Sequence, residues 1–420
     1  MQDQCRKTDI IIIGAGAAGI GAALACQSKG VSYVVLEGNN RVGGRANTAT
    51  AGLEQQWDLG SHRMHSASLN AFVSYAEQHS AHYSKRSGWE HSLIWANGGF
   101  VETDAVTEAK AELDSAIQAV LKTGETGRDI AIAAALPKGG SWDRWVRHVM
   151  QLDVGDDPEA TSTSAYADTE DTGEDWPVLS GYGALLAKMA DGLNIRLHAS
   201  VASVEETGSG VNVTSSDGVY EAKAAIVTVS TNVLSSGAID FAPGPAADFV
   251  QQTKFIPCGA YEKIAFSLSE LPENLGVARH VVVHPSGIAP AMDFKIIEQD
   301  APLIVATVAG SPARELMAMP RADRIAFVFD RLSMVFGAGF GDLVTGSACT
   351  EWLHDPFFLG SYSYALPGYA QLRRDMIAED TGLIAFAGEA FSLRHQATAH
   401  GAYKSERDKA KQMIGRLERG

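Results

Sequence analysis

Residues 8–40, TDIIIIGAGAAGIGAALACQSKGVSYVVLEGNN, admit very few folds. Ile10 to Ile13 is an unbroken apolar run, the pattern of a central parallel strand buried on both faces. It runs into Gly14, Gly16 and Gly19, spaced as G-x-G-x-x-G. A helix follows through Ala22 to Gln27 with Gly30 as its C-cap, and a second strand, Tyr33 to Leu36, ends in Glu37. Gly14 permits the tight turn, Gly16 lets a pyrophosphate approach the backbone, and Gly19 lets the helix pack on the strand. The helix N-terminus offers free N–H groups and a favourable dipole to phosphates. The glycine motif alone is common. With a strand before it, a helix after it and an acid at the next strand end, it reads as a dinucleotide-binding unit. Glu37 is expected to accept hydrogen bonds from the adenosine ribose hydroxyls, and its charge would repel a 2′-phosphate, which disfavours NADP.

A second motif, RVGGR at 41–45, has no use in nicotinamide binding. With the preceding unit it resembles the start of the flavin-containing amine oxidase family: G-x-G-x-x-G, then an acid, then R-x-G-G-R. The resemblance implies an α/β protein, a Rossmann-like FAD-binding domain with a second, mixed α+β substrate-binding domain. It places Gly14, Gly16, Ala18, Gly19 and Glu37 on FAD, Arg45 at the phosphate region, and Gly43 and Gly44 where the cofactor comes close. WDLGSHR at 57–63 is similar to the family's D-x-G segment near the flavin, which implies cofactor contacts for Gly60, Ser61 and Arg63. WPVLSGYGALLAKMADGLNIRLHASVASVEE resembles the return to the FAD domain, with a turn at Gly181 and Gly183, a helix over about Ala184 to Asp191, and Val201 packed on the adenine. FAGEAFSLRHQATAHGAY resembles the C-terminal flavin signature: Gly388 and Glu389 at the ribityl-phosphate region, and Thr398, Ala399 and His400 along the flavin ring.

These matches imply an FAD domain in three segments, 1–67, 178–252 and 353–420, and a substrate domain from the insertions 68–177 and 253–352. A chain of 420 residues, 45% of them apolar, is long enough for two such cores. The first insertion has amphipathic helical runs at 68–82, 104–121 and 141–151, and SLIWANGGFV reads as a hairpin turning at Asn97-Gly98. Asp153 to Pro177 carries nine acids and no Lys or Arg, and reads as a solvated, partly mobile loop, or as a device that steers a cationic substrate.

The formal charge of −16 argues against nucleic acid or an anionic membrane as partner and suits neutral or cationic small molecules. MQDQCRKTD contains no hydrophobic signal region, and no apolar run approaches the roughly 18 residues of a membrane-spanning helix, so a cytoplasmic protein is expected. The four cysteines, Cys5, Cys26, Cys258 and Cys349, show no C-x-x-C spacing, so neither a metal site nor a redox pair is indicated. The sequence leaves the oligomeric state open, a homodimer included.

In the chemistry that the family implies, flavin takes a hydride equivalent from the carbon bearing the amine, and oxygen reoxidises it to give peroxide. The amine must react in its neutral form, which an apolar cavity favours. GAYEKIAFSL puts Tyr261, Lys263 and Ala265 on one strand face, with Lys263 at the place of the family's active-site lysine, holding a water near the flavin and assisting reaction with oxygen. LGSYSYALPG at 359–368 resembles the substrate side of the ring. Monoamine oxidases carry a covalent-flavin cysteine there, whereas this chain has Ser361, and none of the four cysteines lies near the two C-terminal signatures in sequence, which implies non-covalent FAD. Tyr362 matches the first aromatic of their substrate cage, and the second falls at Thr398. Gly60 and Arg63 also match the G-x-x-R of amino-acid oxidases, whose arginine grips the substrate carboxylate bidentately. Arg63 could equally serve the flavin phosphate or a neighbouring acid, and His62 and His65 beside it could be polar pocket residues. An amine oxidase, an L-amino-acid oxidase, a flavin desaturase and a non-catalytic flavoprotein are the functions to separate.

Overall fold

The computed structural model describes residues 6–86, 92–284, 291–298 and 301–418; Cys5 lies outside them. The strand Arg6–Ile13 is central, as its apolar run requires. Ile10 to Ile13 pair in parallel with Tyr33 to Leu36 on one side and with Ala224 to Val227 on the other. Ile10 and Ile12 pack under the helices Ala17–Lys29 and Ala399–Leu417, while Ile11 and Ile13 face a core built from Val204, Phe249 and Phe386. The eight-stranded sheet runs in the order Asp240–Phe241, Val201–Thr207, Gly210–Ser215, Gly218–Val227, Arg6–Ile13, Tyr33–Leu36, Ile195–Arg196, with Ile384–Phe386 also pairing to Gly218–Val227. Its strands come from three separated stretches of chain.

A second, seven-stranded sheet has the order Val344–Cys349, Tyr261–Leu268, Leu303–Ala309, Met292–Ile297, His280–His284, Ser92–Ala96, Gly99–Phe100. All of it comes from between those stretches. Asn97 and Gly98, both at positive φ, turn the Ser92–Ala96 hairpin. One sheet face packs on the helix Arg321–Phe336 through Val281, Phe294, Ile304 and Val328. The other carries Ile94 and Val282 against Trp145 and Val149 of the helix Asp143–Val154. The helices Ala71–Gln78, Thr103–Glu125 and Asp143–Val154 lie where the amphipathic runs put them. The helix expected near Ala184 runs Tyr182–Met189, starting earlier because Asp58 accepts hydrogen bonds from the backbone N–H of Tyr182 and Gly183 and so caps its first turn. Among the described residues no helix is long and apolar enough to cross a membrane.

The acidic stretch from Asp153 is a solvated loop only in part. It finishes one helix, forms a second, Thr163–Ala167, and buries Asp156 at 1% exposed, whereas residues 169–175 form no helix or strand and Asp171 to Gly173 are exposed. Its acids have individual partners. Asp156 pairs with Arg314, Asp157 accepts from Gln151 and from the N–H of Ser311, and Asp168 pairs with Arg374 at 2.6 Å. Composition alone could not show this, because Arg314 and Arg374, which pair with Asp156 and Asp168, lie far along the chain.

The glycine turn sets the distance between helix and strand. A Cβ on Gly19 would sit 1.8 Å from the carbonyl oxygen of Gly14, whereas Gly30, at φ +66, has open space around it. Gly19→Ala should therefore destabilise the protein by about 3 kcal/mol or more, an overpacking cost. Gly30→Ala should cost only the left-handed strain of about 1–2 kcal/mol. Chemical denaturation of the two variants measures the difference, and equal losses would contradict it.

Candidate active site

One cavity of about 1010 Å³ is lined from both sheets. On the side of the larger sheet its wall begins at the glycine turn. Gly16 caps the helix Ala17–Lys29 without a side-chain hydrogen bond, so the first-turn N–H groups of Ala17 and Ala18 are left for a ligand. A Cβ on Gly16 would find no atom nearer than the Gly44 Cα at 3.8 Å. Glu37 also lines the cavity, and its carboxylate is fixed from behind: Oε2 accepts from the N–H of Ala15 at 2.7 Å and Oε1 from that of Asn39 at 2.8 Å. Two acceptor positions remain for a ribose diol. Val201 lines the same end.

The RVGGR turn lies directly on the first glycine turn. Gly43 donates its N–H to the Ala15 carbonyl at 2.9 Å, and a Cβ on Gly44 would stand 3.1 Å from the Gly16 Cα. The close approach expected of a cofactor is thus also one of backbone to backbone. Arg45 pairs with Glu389, Nη1 to Oε1 at 3.0 Å, and donates to the Ser361 carbonyl. Glu389 accepts in addition from Ser363 Oγ at 2.7 Å, from its N–H at 3.1 Å and from the Ala397 N–H at 3.0 Å. Arg45, Ser361, Gly388 and Glu389 all line the cavity. So do Thr398, Ala399 and His400, with Thr398 capping the helix Ala399–Leu417 by accepting from the Gly401 N–H. Sequence distance misled about the thiols: the Cys258 Sγ lies 3.7 Å from Arg45 Nη1, and the Cys258 backbone pairs antiparallel with that of Ser363. It is not among the residues that line the cavity.

From the smaller sheet comes Lys263, 4% exposed, whose Nζ donates to the carbonyls of Asp58 at 2.9 Å and Gly60 at 2.6 Å. Burial pushes its ammonium down to about 8. A Cβ on Gly60 would stand 1.7 Å from the Arg45 carbonyl, so the loop of residues 58–63 rests on the RVGGR turn. His62 lies between two lysines, its Nδ1 3.5 Å from Lys263 Nζ and its Nε2 3.1 Å from Lys295 Nζ. Burial and the surrounding cations hold His62 well below the usual imidazole range, and burial holds Lys295 well below the usual lysine range. Arg63 forms an ion pair with Asp175 at 3.6 Å and donates from Nε to His62 Nε2 at 3.2 Å; His65 contacts the same Asp175 at 2.8 Å. The Tyr362 and Tyr261 rings stand 5.7 Å apart at 50°, and the Tyr362 hydroxyl donates to the Leu152 carbonyl.

Sequence reading missed Lys295 and Asp175. MDFKII carries the signal that singled out Lys263, a lysine within an apolar strand. Its place beside His62 depends on the sheet order, which no local pattern encodes. Ser61, at the turn between Gly60 and His62, also lines the cavity.

The family model described as flavin containing amine oxidoreductase matches residues 17–414. Lysine-specific histone demethylase 1 homolog 3 of Oryza sativa subsp. indica is 27% identical over 438 residues, covering 96% of this chain and 54% of that protein. This chain thus spans about half the length of such demethylase relatives. Polyamine oxidase 4 of Oryza sativa subsp. japonica is 26% identical, covering 96% of this chain and 88% of that one. Among solved structures, cyclohexylamine oxidase from Brevibacterium oxydans has a TM-score of 0.82 at 18% identity, covering 98% of this chain and 99% of that chain. Putrescine oxidase bound to putrescine has a TM-score of 0.79 at 18% identity, covering 97% and 99%. At that identity both show the fold.

Glu389 joins the RVGGR turn to the C-terminal segment, so Glu389→Ala would leave Arg45 without its partner and orphan two backbone donors. Chemical denaturation should record a loss of about 3–5 kcal/mol, with Glu389→Gln losing less. A loss below about 1 kcal/mol for Glu389→Ala would show that the pair does not hold the segments together.

Proposed function

The chain belongs to the flavin containing amine oxidoreductase family, and on that footing we propose that it is an FAD-dependent oxidase that converts a small amine to an imine while oxygen becomes hydrogen peroxide. The observation that carries the reading is Lys263, a buried amine from one sheet held on the Asp58 and Gly60 carbonyls of a loop beside the dinucleotide cradle of the other. The donor set supports FAD: an uncapped helix N-terminus for the pyrophosphate, the Glu37 carboxylate for the ribose, and the helix start at Thr398 to Ala399 for the ring end. A bound flavin supplies the two-electron chemistry, taking a hydride equivalent from the carbon beside the amine nitrogen and passing the electron pair to oxygen. The chain's own residues place the substrate, keep bulk water away and handle its protons. Tyr261 and Tyr362 provide an aromatic wall, and the Tyr362 hydroxyl is fixed on Leu152.

In this reading FAD is held without a covalent bond. Ser361 stands at the attachment position, and Cys258, the thiol beside it, contacts Arg45 and Thr231 and does not line the cavity. The FAD unit comprises 1–67, 178–252 and 353–420, and the substrate unit 68–177 and 253–352, a division supported by the two sheets drawing on separate stretches. Among the described residues Cys26, Cys258 and Cys349 are free thiols, as a reducing compartment allows.

Arg63 bears on substrate class. Its guanidinium already engages Asp175 and His62, so an entering carboxylate would meet Asp175 as well as the arginine. Asp153, Glu170 and Asp171 also line the cavity. This favours a simple amine over an amino acid.

Two measurements test the reading. Acid precipitation of the purified protein should release free FAD into the supernatant; yellow colour kept by the precipitate would overturn non-covalent binding. Peroxide release should be at least about tenfold greater for an amine than for the amino acid with the same side chain. A preference for the amino acid, abolished selectively in Arg63→Ala, would establish the amino-acid oxidase reading instead.

A further inference from the structure

The atoms that face Lys263 Nζ favour one protonation state by count. The carbonyl oxygens of Asp58 and Gly60, at 2.9 and 2.6 Å, can only accept, and they use two N–H groups. The third neighbour is His62 Nδ1 at 3.5 Å, whose role depends on the tautomer. That tautomer is decided on the other side of the ring. Arg63 Nε, 3.2 Å from His62 Nε2, can only donate, because a guanidinium has no acceptor and does not lose its proton in proteins. Nε2 is therefore the acceptor nitrogen, and Lys295 Nζ at 3.1 Å approaches the same lone pair. The ring proton sits on Nδ1 and points at Lys263. An ammonium would oppose this N–H with a third N–H of its own, whereas an amine meets it with a lone pair.

We propose that His62 is a positioning residue: held by Arg63 in the tautomer protonated on Nδ1, it donates to the lone pair of Lys263 and so favours the neutral amine, lowering the pH at which Lys263 exchanges that bond for a proton from the substrate's ammonium. The inference rests on the amine-oxidase reading for its chemical use and on the geometry alone for the state of Lys263.

The groups around Lys263 agree with this state. Arg63 is the cation that faces it, and Lys295 is a second basic group beside His62. Asp58, which opposes them, lies on the strand Trp57–Asp58, and its carboxylate is taken up by Thr48 Oγ1 at 2.5 Å and the Tyr182 N–H at 3.0 Å. Asp293, level with Lys263 in the sheet through Thr307, is bound to His280 at 3.0 Å and His148 at 3.3 Å. Asp175 is held by Arg63 and His65. Burial moves Lys263 in the same direction, down to about 8.

The proton balance closes. The Lys263 lone pair leaves the His62 N–H and takes a proton from the substrate's ammonium, and the resulting substrate amine loses a hydride equivalent and becomes the iminium. Oxygen gains that hydride equivalent and the proton returned by Lys263, and leaves as hydrogen peroxide.

The test uses the flavin-loaded protein without substrate. Cyanate carbamylates only neutral amines, so its rate at Lys263, read by peptide mass spectrometry across pH, titrates that side chain; the acid limb of kcat/KM gives a second reading. In the wild type the midpoint should lie well below that of an exposed lysine. In His62→Asn the amide nitrogen takes the place of Nδ1, and the midpoint should stay. In His62→Gln and His62→Phe the donor is lost, and the midpoint should rise by about half a unit to one unit, the value of one hydrogen bond to the neutral form. Midpoints that coincide in all four proteins, or a shift in His62→Asn as large as in His62→Phe, would overturn the proposal. Thermal midpoints of the two amide variants monitor folding. Labelling needs no turnover, so a protein that oxidises no amine would sink the oxidase reading and leave this titration intact. A flat titration alongside peroxide production would sink only the role of His62.

Discussion

Three backbone segments meet at distances that leave no room for a side chain. Gly19 lies against Gly14, Gly44 against Gly16, and Gly60 against the Arg45 carbonyl, the last at 1.7 Å from an added Cβ. The rest of the site hangs on this stack. It brings the RVGGR turn onto the helix N-terminus and directs Arg45 to Glu389, which carries the C-terminal helix with it. It also turns the carbonyls of Asp58 and Gly60 outward, where Lys263 of the other sheet takes them in place of water. A buried lysine amine needs such acceptors, since without them its desolvation would be uncompensated. The joint between the sheets and the polar centre of the cavity are therefore one structure.

Charge follows the same logic. Basic groups, Lys263, Lys295 and Arg63 with His62 among them, gather at the sheet floor, while Asp153, Glu170, Asp171 and Asp175 stand on a segment that crosses the same cavity. The floor favours neutral amines, and the acids opposite favour the approach of cations. A substrate that arrives as an ammonium and reacts as an amine is suited to this division, and a lysine that accepts and returns one proton connects its two states.

Much of the fold was legible because local rules and tertiary packing agreed. The run Ile10 to Ile13, the glycine spacing and the acid at Glu37 each specify backbone geometry within a few residues, and the alternation in the strand Tyr261–Leu268 placed Lys263 on the face it occupies. What could not be read depended on contacts between distant segments. Nothing local shows that Asp156 would find Arg314, that Cys258 would lie against Arg45, or that Lys295 would stand next to His62. Arg63 was recognised as a pocket cation, but its role is set by Asp175, on the strip that pairs with it through Trp176–Pro177. Residue types named the candidates, and the sheet order assigned their partners.

Lys263 is the group on which fold, charge and chemistry converge, so replacing its amine while keeping its length is the most direct trial. Stopped-flow absorbance of the flavin-loaded Lys263→Met protein separates anaerobic reduction by an amine from reoxidation by air. Reoxidation should be slowed at every pH. Reduction should be slowed near neutrality and recover as pH approaches the substrate's own amine titration, where no proton has to be removed. Wild-type rates for both steps across that range would show that the lysine only props the two sheets together, and would contradict the role assigned to it.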